Sequence, residues 1–212
     1  MLVLCPLREL PVKSSLRTTR HLFFVSLVAV ASLAISACVP ESKYPLPEET
    51  RVAVDQRLVG VWHGESLGTG YTARISKKND AILDLLFTET NKVSGTGAPA
   101  TRNTRFELHF FNVTGQRIVG VRGPGFDQKI GPVWRFARYR FGDKDGVAFY
   151  FMSDRAIYNY VNSSFYRGVI RNHDPAFHEI LLMETPPRLA AIIRKRTLGA
   201  LFSVTFGPFR RQ

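Results

Sequence analysis

The chain has 212 residues, 45% of them hydrophobic, a formal net charge of +12 and two cysteines. The cysteine count excludes a disulfide framework, so packing must hold the fold, and the length suits one domain with a real core. So basic a surface suggests acidic neighbours, or serves solubility alone.

Residues 22–37 are sixteen in a row without a charge, preceded by Arg17 and Arg20. A spanning helix needs about 20 apolar residues to cross roughly 30 Å of hydrocarbon. This run is shorter and ends in small residues. A secretory signal is therefore expected over residues 1–37, its helix removed from the mature chain. Ile35-Ser36-Ala37-Cys38 resembles the lipobox of bacterial lipoproteins, an aliphatic and two small residues before an obligatory Cys. The resemblance implies that Cys38 is acylated and becomes the first residue. Several acyl chains, at about 0.8 kcal/mol per buried methylene, would then hold the protein on a membrane. In a Gram-negative host, Val39 rather than Asp after the Cys implies passage to the outer membrane, on its periplasmic face. Export argues against nucleic acid as the acidic neighbour and points to an anionic envelope component. The removed segment takes Arg8, Lys13, Arg17 and Arg20 against Glu9, leaving about +9 on roughly 175 residues.

Residues 38–56 are rich in Pro and Glu and read as a lipidated Cys followed by an extended tether. A β-rich domain is expected over 57–212. Its first strand is 58–64, and 71–76 and 81–88 follow around the turn Lys77-Lys78-Asn79-Asp80. Residues 90–103 read as a loop. Phe106, Leu108 and Phe110 alternate with Glu107 and His109, a half-buried strand over 105–113, and 116–121 continues it. A second loop, 123–132, leads to 133–141. There Trp134, Phe136, Arg138 and Arg140 alternate with Arg135, Ala137, Tyr139 and Phe141. Residues 142–146 form a hairpin turn and 147–152 returns. Residues 154–161 read equally as a strand or as a capped helical turn. Strands 165–171 and 177–184 flank a turn at 172–175. Thr185 before Pro186 and Pro187 opens a helix near 186–197, with basic residues at its C-terminal end. Residues 201–206 read as a last strand or an apolar tail.

Eight to ten short strands at hairpin spacing with one late helix predict a mainly β fold, an antiparallel up-and-down β-barrel with one C-terminal helix. Leu58-x-Gly60-x-Trp62 resembles the Gly-x-Trp start of lipocalins and related calycin barrels, whose bacterial members include outer-membrane lipoproteins. The resemblance implies that Trp62 plugs a closed barrel end and that a basic residue near the last strand, with Arg167 the candidate, packs across it. It also implies binding of a small lipophilic ligand, with Trp62, Phe136 and Tyr139 as candidate contacts. The alternative is a solid barrel with a basic docking face, Arg135, Arg138 and Arg140, seated on an anionic envelope component.

No constellation declares a reaction, a cofactor or a metal. Gly64-Glu65-Ser66-Leu67-Gly68 matches a nucleophile elbow in letters, but a strand rather than a helix is expected after it. An esterase acting through Ser66 is therefore disfavoured. Gly95 to Ala100 superficially matches a dinucleotide fingerprint, yet Pro99 and the strand after it forbid the helix that motif needs. His63, His109, His173 and His178 show no ligand spacing.

Overall fold

The computed structural model describes residues 39–66, 69–91, 100–142, 146–173 and 178–212. The expected signal segment and Cys38 lie outside the described residues. Eleven strands are described: β1 (Glu41–Ser42), β2 (Gly60–Ser66), β3 (Thr69–Lys77), β4 (Ile82–Asn91), β5 (Ala100–Val113), β6 (Gln116–Gly123), β7 (Val133–Phe141), β8 (Gly146–Phe151), β9 (Gly168–Asn172), β10 (Glu179–Leu182) and β11 (Val204–Arg211). Three helices join them: α1 (Asp154–Asn162), α2 (Pro186–Lys195) and α3 (Leu198–Leu201).

Strands β2 to β8 run as an antiparallel meander, each paired with the next. β11 then lies between β8 and β2 and closes the ring. The wall is thus an eight-stranded antiparallel barrel, as the strand series predicts. Its registers agree all the way round. Trp62 faces Ala73, Ala73 faces Phe87, Tyr139 faces Phe149, Phe149 faces Phe206, and Arg211 returns opposite Trp62. Because side chains alternate across a strand, these residues share the inner face.

The ambiguous stretch after β8 is helical. Asp154, Ile157 and Val161 are its buried residues, spaced for one helix face. The expected late helix is α2, and the apolar tail becomes the closing strand β11. Between β8 and β11 the chain leaves the barrel through α1, β9, β10, α2 and α3 and packs a second core. Phe111, Val113, Ile118, Trp134 and Phe136, from the outer face of β5 to β7, meet Ile157, Val161, Leu189, Ile192 and Ile193 there. Asp154, itself buried, accepts from the backbone N–H of His178 and lies 3.0 Å from its Nδ1, tying α1 to the start of β10.

The expected tether is not one. Val39, Leu46 and Val54 are buried, and β1 pairs with β7 at Trp134 and with β10 at Leu181 and Leu182. The Glu41 carboxylate is fully buried. It accepts from Arg135 Nη2 and from the Phe126 N–H at 2.9 Å. Pro and Glu suggest solvated extended chain only when no partner is in view, and these partners lie some ninety residues downstream.

Candidate functional site

The two ends of the barrel are built differently. At one end a 3-10 turn, Gln56–Leu58, lies against the wall. Leu58 is fully buried, and Trp62 donates its Nε1–H to the Leu58 carbonyl at 2.8 Å. The Arg211 guanidinium sits 5.4 Å from the Trp62 ring and donates to the Val59 carbonyl. The basic residue expected across Trp62 is therefore Arg211 and not Arg167. β11 is the strand beside β2, and its register sets Arg211 opposite Trp62. Arg167 is exposed between α1 and β9, its backbone N–H donating to Glu184 Oε1.

Asp55 fastens the same end. Its carboxylate accepts from Arg57 at 2.8 and 2.9 Å, from Arg117 at 3.1 Å and from the Tyr139 hydroxyl at 2.9 Å. The Arg57 hydrogen bond, outweighing the cost of burial and joined by the Tyr139 hydroxyl, holds the Asp55 carboxyl down at about 2. Burial, reinforced by the Asp55 charge, pushes the Tyr139 phenol up to about 12, so it remains a donor. Phe110, Phe141 and Phe149 pack around the Tyr139 ring with centroids 5.9–6.2 Å away.

At the other end the inner face carries Tyr71, Phe87, Phe151 and Phe206. Tyr71 stacks on Phe87 at 5.6 Å and meets the edge of Phe206 at 5.4 Å, and Phe151 lies 6.5 Å from Phe206. Tyr71 is buried, but the three Phe rings are half-buried although they point inward. Above them Glu89 lies across from Tyr71 on one side and Arg102 on the other. Burial raises the Glu89 carboxyl above its ordinary value, with Arg102 opposing, and burial next to Glu89 raises the Tyr71 phenol. The arrangement is an apolar mouth with a carboxylate and a guanidinium at its rim.

The structure separates the residues that the sequence singles out. Trp62 and Tyr139 point inward, at the fastened end. Phe136 points outward from β7 into the second core and is not part of the barrel interior. Arg135 parts from its neighbours: it faces inward, is 12% exposed and is paired with Glu41. Arg138 bonds Gln116 on the outer face and Arg140 is exposed there, so the outward basic pair is Arg138 and Arg140. Ser66 ends β2, paired with Thr69, and residues 67–68 lie outside the described residues. His63 lies on the outer face between Thr72 and Gln212, and His109 lies against Glu107 and the Trp134 ring. Among the described residues no cluster of His, Cys, Asp and Glu is placed to hold a metal ion, and no helix is long and apolar enough to cross a membrane.

Sequence reasoning missed the mouth. Its signal was the phase of the first hairpin: with Ser66 opposite Thr69 and Trp62 inward, Tyr71 must also face inward, and Phe87 follows from the next register. The chain shows no significant match to any known protein family, to curated proteins or to solved structures.

Proposed function

We propose that this is a lipid-anchored envelope protein whose barrel mouth binds or shields a small lipophilic molecule. The observation that carries the reading is the inward but half-exposed set Phe87, Phe151 and Phe206 beside Tyr71. Aromatic rings facing a barrel interior yet left wet cover apolar surface only when something else fills the space. The lower interior offers no such vacancy in its side chains, since Trp62, Leu83, Leu108, Phe110 and Val147 are all nearly inaccessible. The ligand therefore sits high in the barrel, with its polar end toward Glu89 and Arg102.

Two further features support the calycin-like reading. Arg211 lies across Trp62 and bonds the backbone just before β2, and a 3-10 turn precedes that strand. The lipobox-like Ile35 to Cys38 supports the anchor. With Val39 already buried, a lipid on Cys38 would hold the domain close against the membrane and not at the end of a spacer.

The test is a native mass spectrum of the full chain extracted in mild detergent, beside a Phe206→Ser variant. A discrete added mass that organic solvent releases, and that the variant has lost, is the expected result. Its absence from the native protein overturns ligand carriage and favours a filled barrel that docks through Arg138 and Arg140. The anchor is tested separately: Cys38→Ser should abolish the acyl mass and release the protein from the membrane fraction.

A further inference from the structure

A second concave surface lies on the outside of the barrel, where β6 ends. It is an open groove of about 760 Å³, walled by β3, β4 and β5 on one side and by the 123–132 segment on the other. β5 continues past β6: the last β6 residue paired with it is Arg122, opposite Glu107, while β5 runs on to Ala100. The wall is therefore one strand short at this point, and the chain between β6 and β7 overhangs the gap with Gly123, Pro124, Gly125, Gly131 and Pro132. Gln128 lines the groove from the same segment, and the glycines of the overhang let an occupant approach the backbone closely.

The charges in the groove are organised by register. Arg74 is paired with Leu86 on β4, and Leu86 with Arg105 on β5. The three residues form one row across the outer face, with the two guanidiniums flanking a leucine. Two strand spacings put their backbones about 10 Å apart, within joint reach of one small group above Leu86. The next row carries Asp84 and Glu107 with Arg122. Glu107 is already satisfied: it bonds Lys78 at 2.6 Å and Arg122 at 2.9 Å, and those bonds hold its carboxyl at about 2. Asp84 lies 3.9 Å from Lys78. Among the described residues no ion pair engages Arg74 or Arg105. Lys78 and Arg122 thus answer the two carboxylates, and two cations are left over beside Leu86.

We propose that this groove binds the head of a phosphate-bearing amphiphile. A phosphate monoester brings close to two negative charges at neutral pH, which matches the two unanswered guanidiniums. Guanidinium forks suit its oxygens. The first methylenes of the chain lie on Leu86 below the proline-lined overhang. The site is on the opposite face of the wall from the mouth and stands whether or not the mouth holds a ligand.

The experiment places the full chain in nanodiscs of zwitterionic lipid and titrates hexyl phosphate, hexanol and inorganic phosphate by calorimetry against empty discs. Hexyl phosphate should bind best, and each of the other two at least roughly tenfold more weakly, since each lacks one half of the match. Arg74→Gln with Arg105→Gln should weaken hexyl phosphate by roughly tenfold or more. Both side chains are exposed, so the fold should be unaffected, and an unchanged unfolding midpoint would verify that. Phe206→Ser, in the mouth, should leave this binding unchanged. Binding that survives the double Arg variant and is lost in Phe206→Ser overturns the groove while leaving the mouth intact. Inorganic phosphate binding as tightly as hexyl phosphate overturns the amphiphile.

Discussion

The closed end and the mouth of the barrel are both aromatic, and both hold an acidic residue, yet the two carboxylates behave in opposite ways. Asp55 is ringed by donors and ionises far below its ordinary value. The Glu89 carboxyl is raised by burial, with Arg102 opposing. At the closed end each polar atom named above has a partner that also packs an aromatic ring: Asp55 with Tyr139, Leu58 and Val59 with Trp62 and Arg211. At the mouth the rings contact one another and face water. The same residue types thus serve as a fastening where polar partners are complete, and as an unfilled surface where they are not.

Breaking the fastening should have the largest effect. Trp62→Ala should cost about 3–5 kcal/mol in denaturant unfolding, because it removes a buried ring and strands the Arg211 and Leu58 contacts. Asp55→Asn should cost about 2 kcal/mol at neutral pH, the scale of hydrogen bonds to a charged group. Its pH dependence is more telling. A carboxylate whose folded value is depressed contributes stability above its unfolded value and loses it as pH falls through the folded one. The native protein should lose stability between about pH 4 and about 2, and Asp55→Asn should lose less across that interval. Glu107, also depressed to about 2, and Asp80, lowered by its bond to Lys77, add to the slope.

At the mouth the effects should be smaller. Phe206→Ala should cost only about 1 kcal/mol, since a half-exposed ring gains a fraction of full burial. A cost equal to that of Trp62→Ala would show the two ends to be alike. Smallest of all, Glu89→Gln should raise the unfolding midpoint slightly at neutral pH. A carboxyl with a raised folded value favours the folded state below its unfolded value and loses that advantage as pH rises through the folded one. The gain should therefore vanish in acid, the reverse of the Asp55 result.

Much of this was readable in the sequence, and the limits have physical causes. Alternation located the wall strands, because each is half-buried and its period of two survives any choice of neighbours. The same alternation already places Phe136 and Tyr139 on opposite faces of β7, so proposing them as joint contacts conflicted with a signal that was present. Arg135 beside Arg138 was separable for the same reason. Arg211 was not legible. Its place beside Trp62 depends on β11 sliding between β8 and β2 after the long departure through α1 to α3, and nothing local announces that pairing. β1 was hidden likewise, since two residues of strand have no periodicity and their partners lie on β7 and β10.

The closing pair has a consequence for how the molecule comes into being. Arg211 and Val59 are 152 residues apart in the chain and adjacent in the wall. Seven strands can zip as successive hairpins, but β2 and β8 keep bare edges until β11 arrives. A ribosome or translocon delivering the chain from its N-terminus would hold an open, aromatic-faced sheet from the completion of β8 at Phe151 until β11 emerges at Val204. Contacts of such separation make slow folders, and bare edges of this kind invite pairing with other chains. Maturation of this protein should accordingly depend on holding chaperones. A chain stopped before Val204 should accumulate as aggregate and not as a loosened barrel.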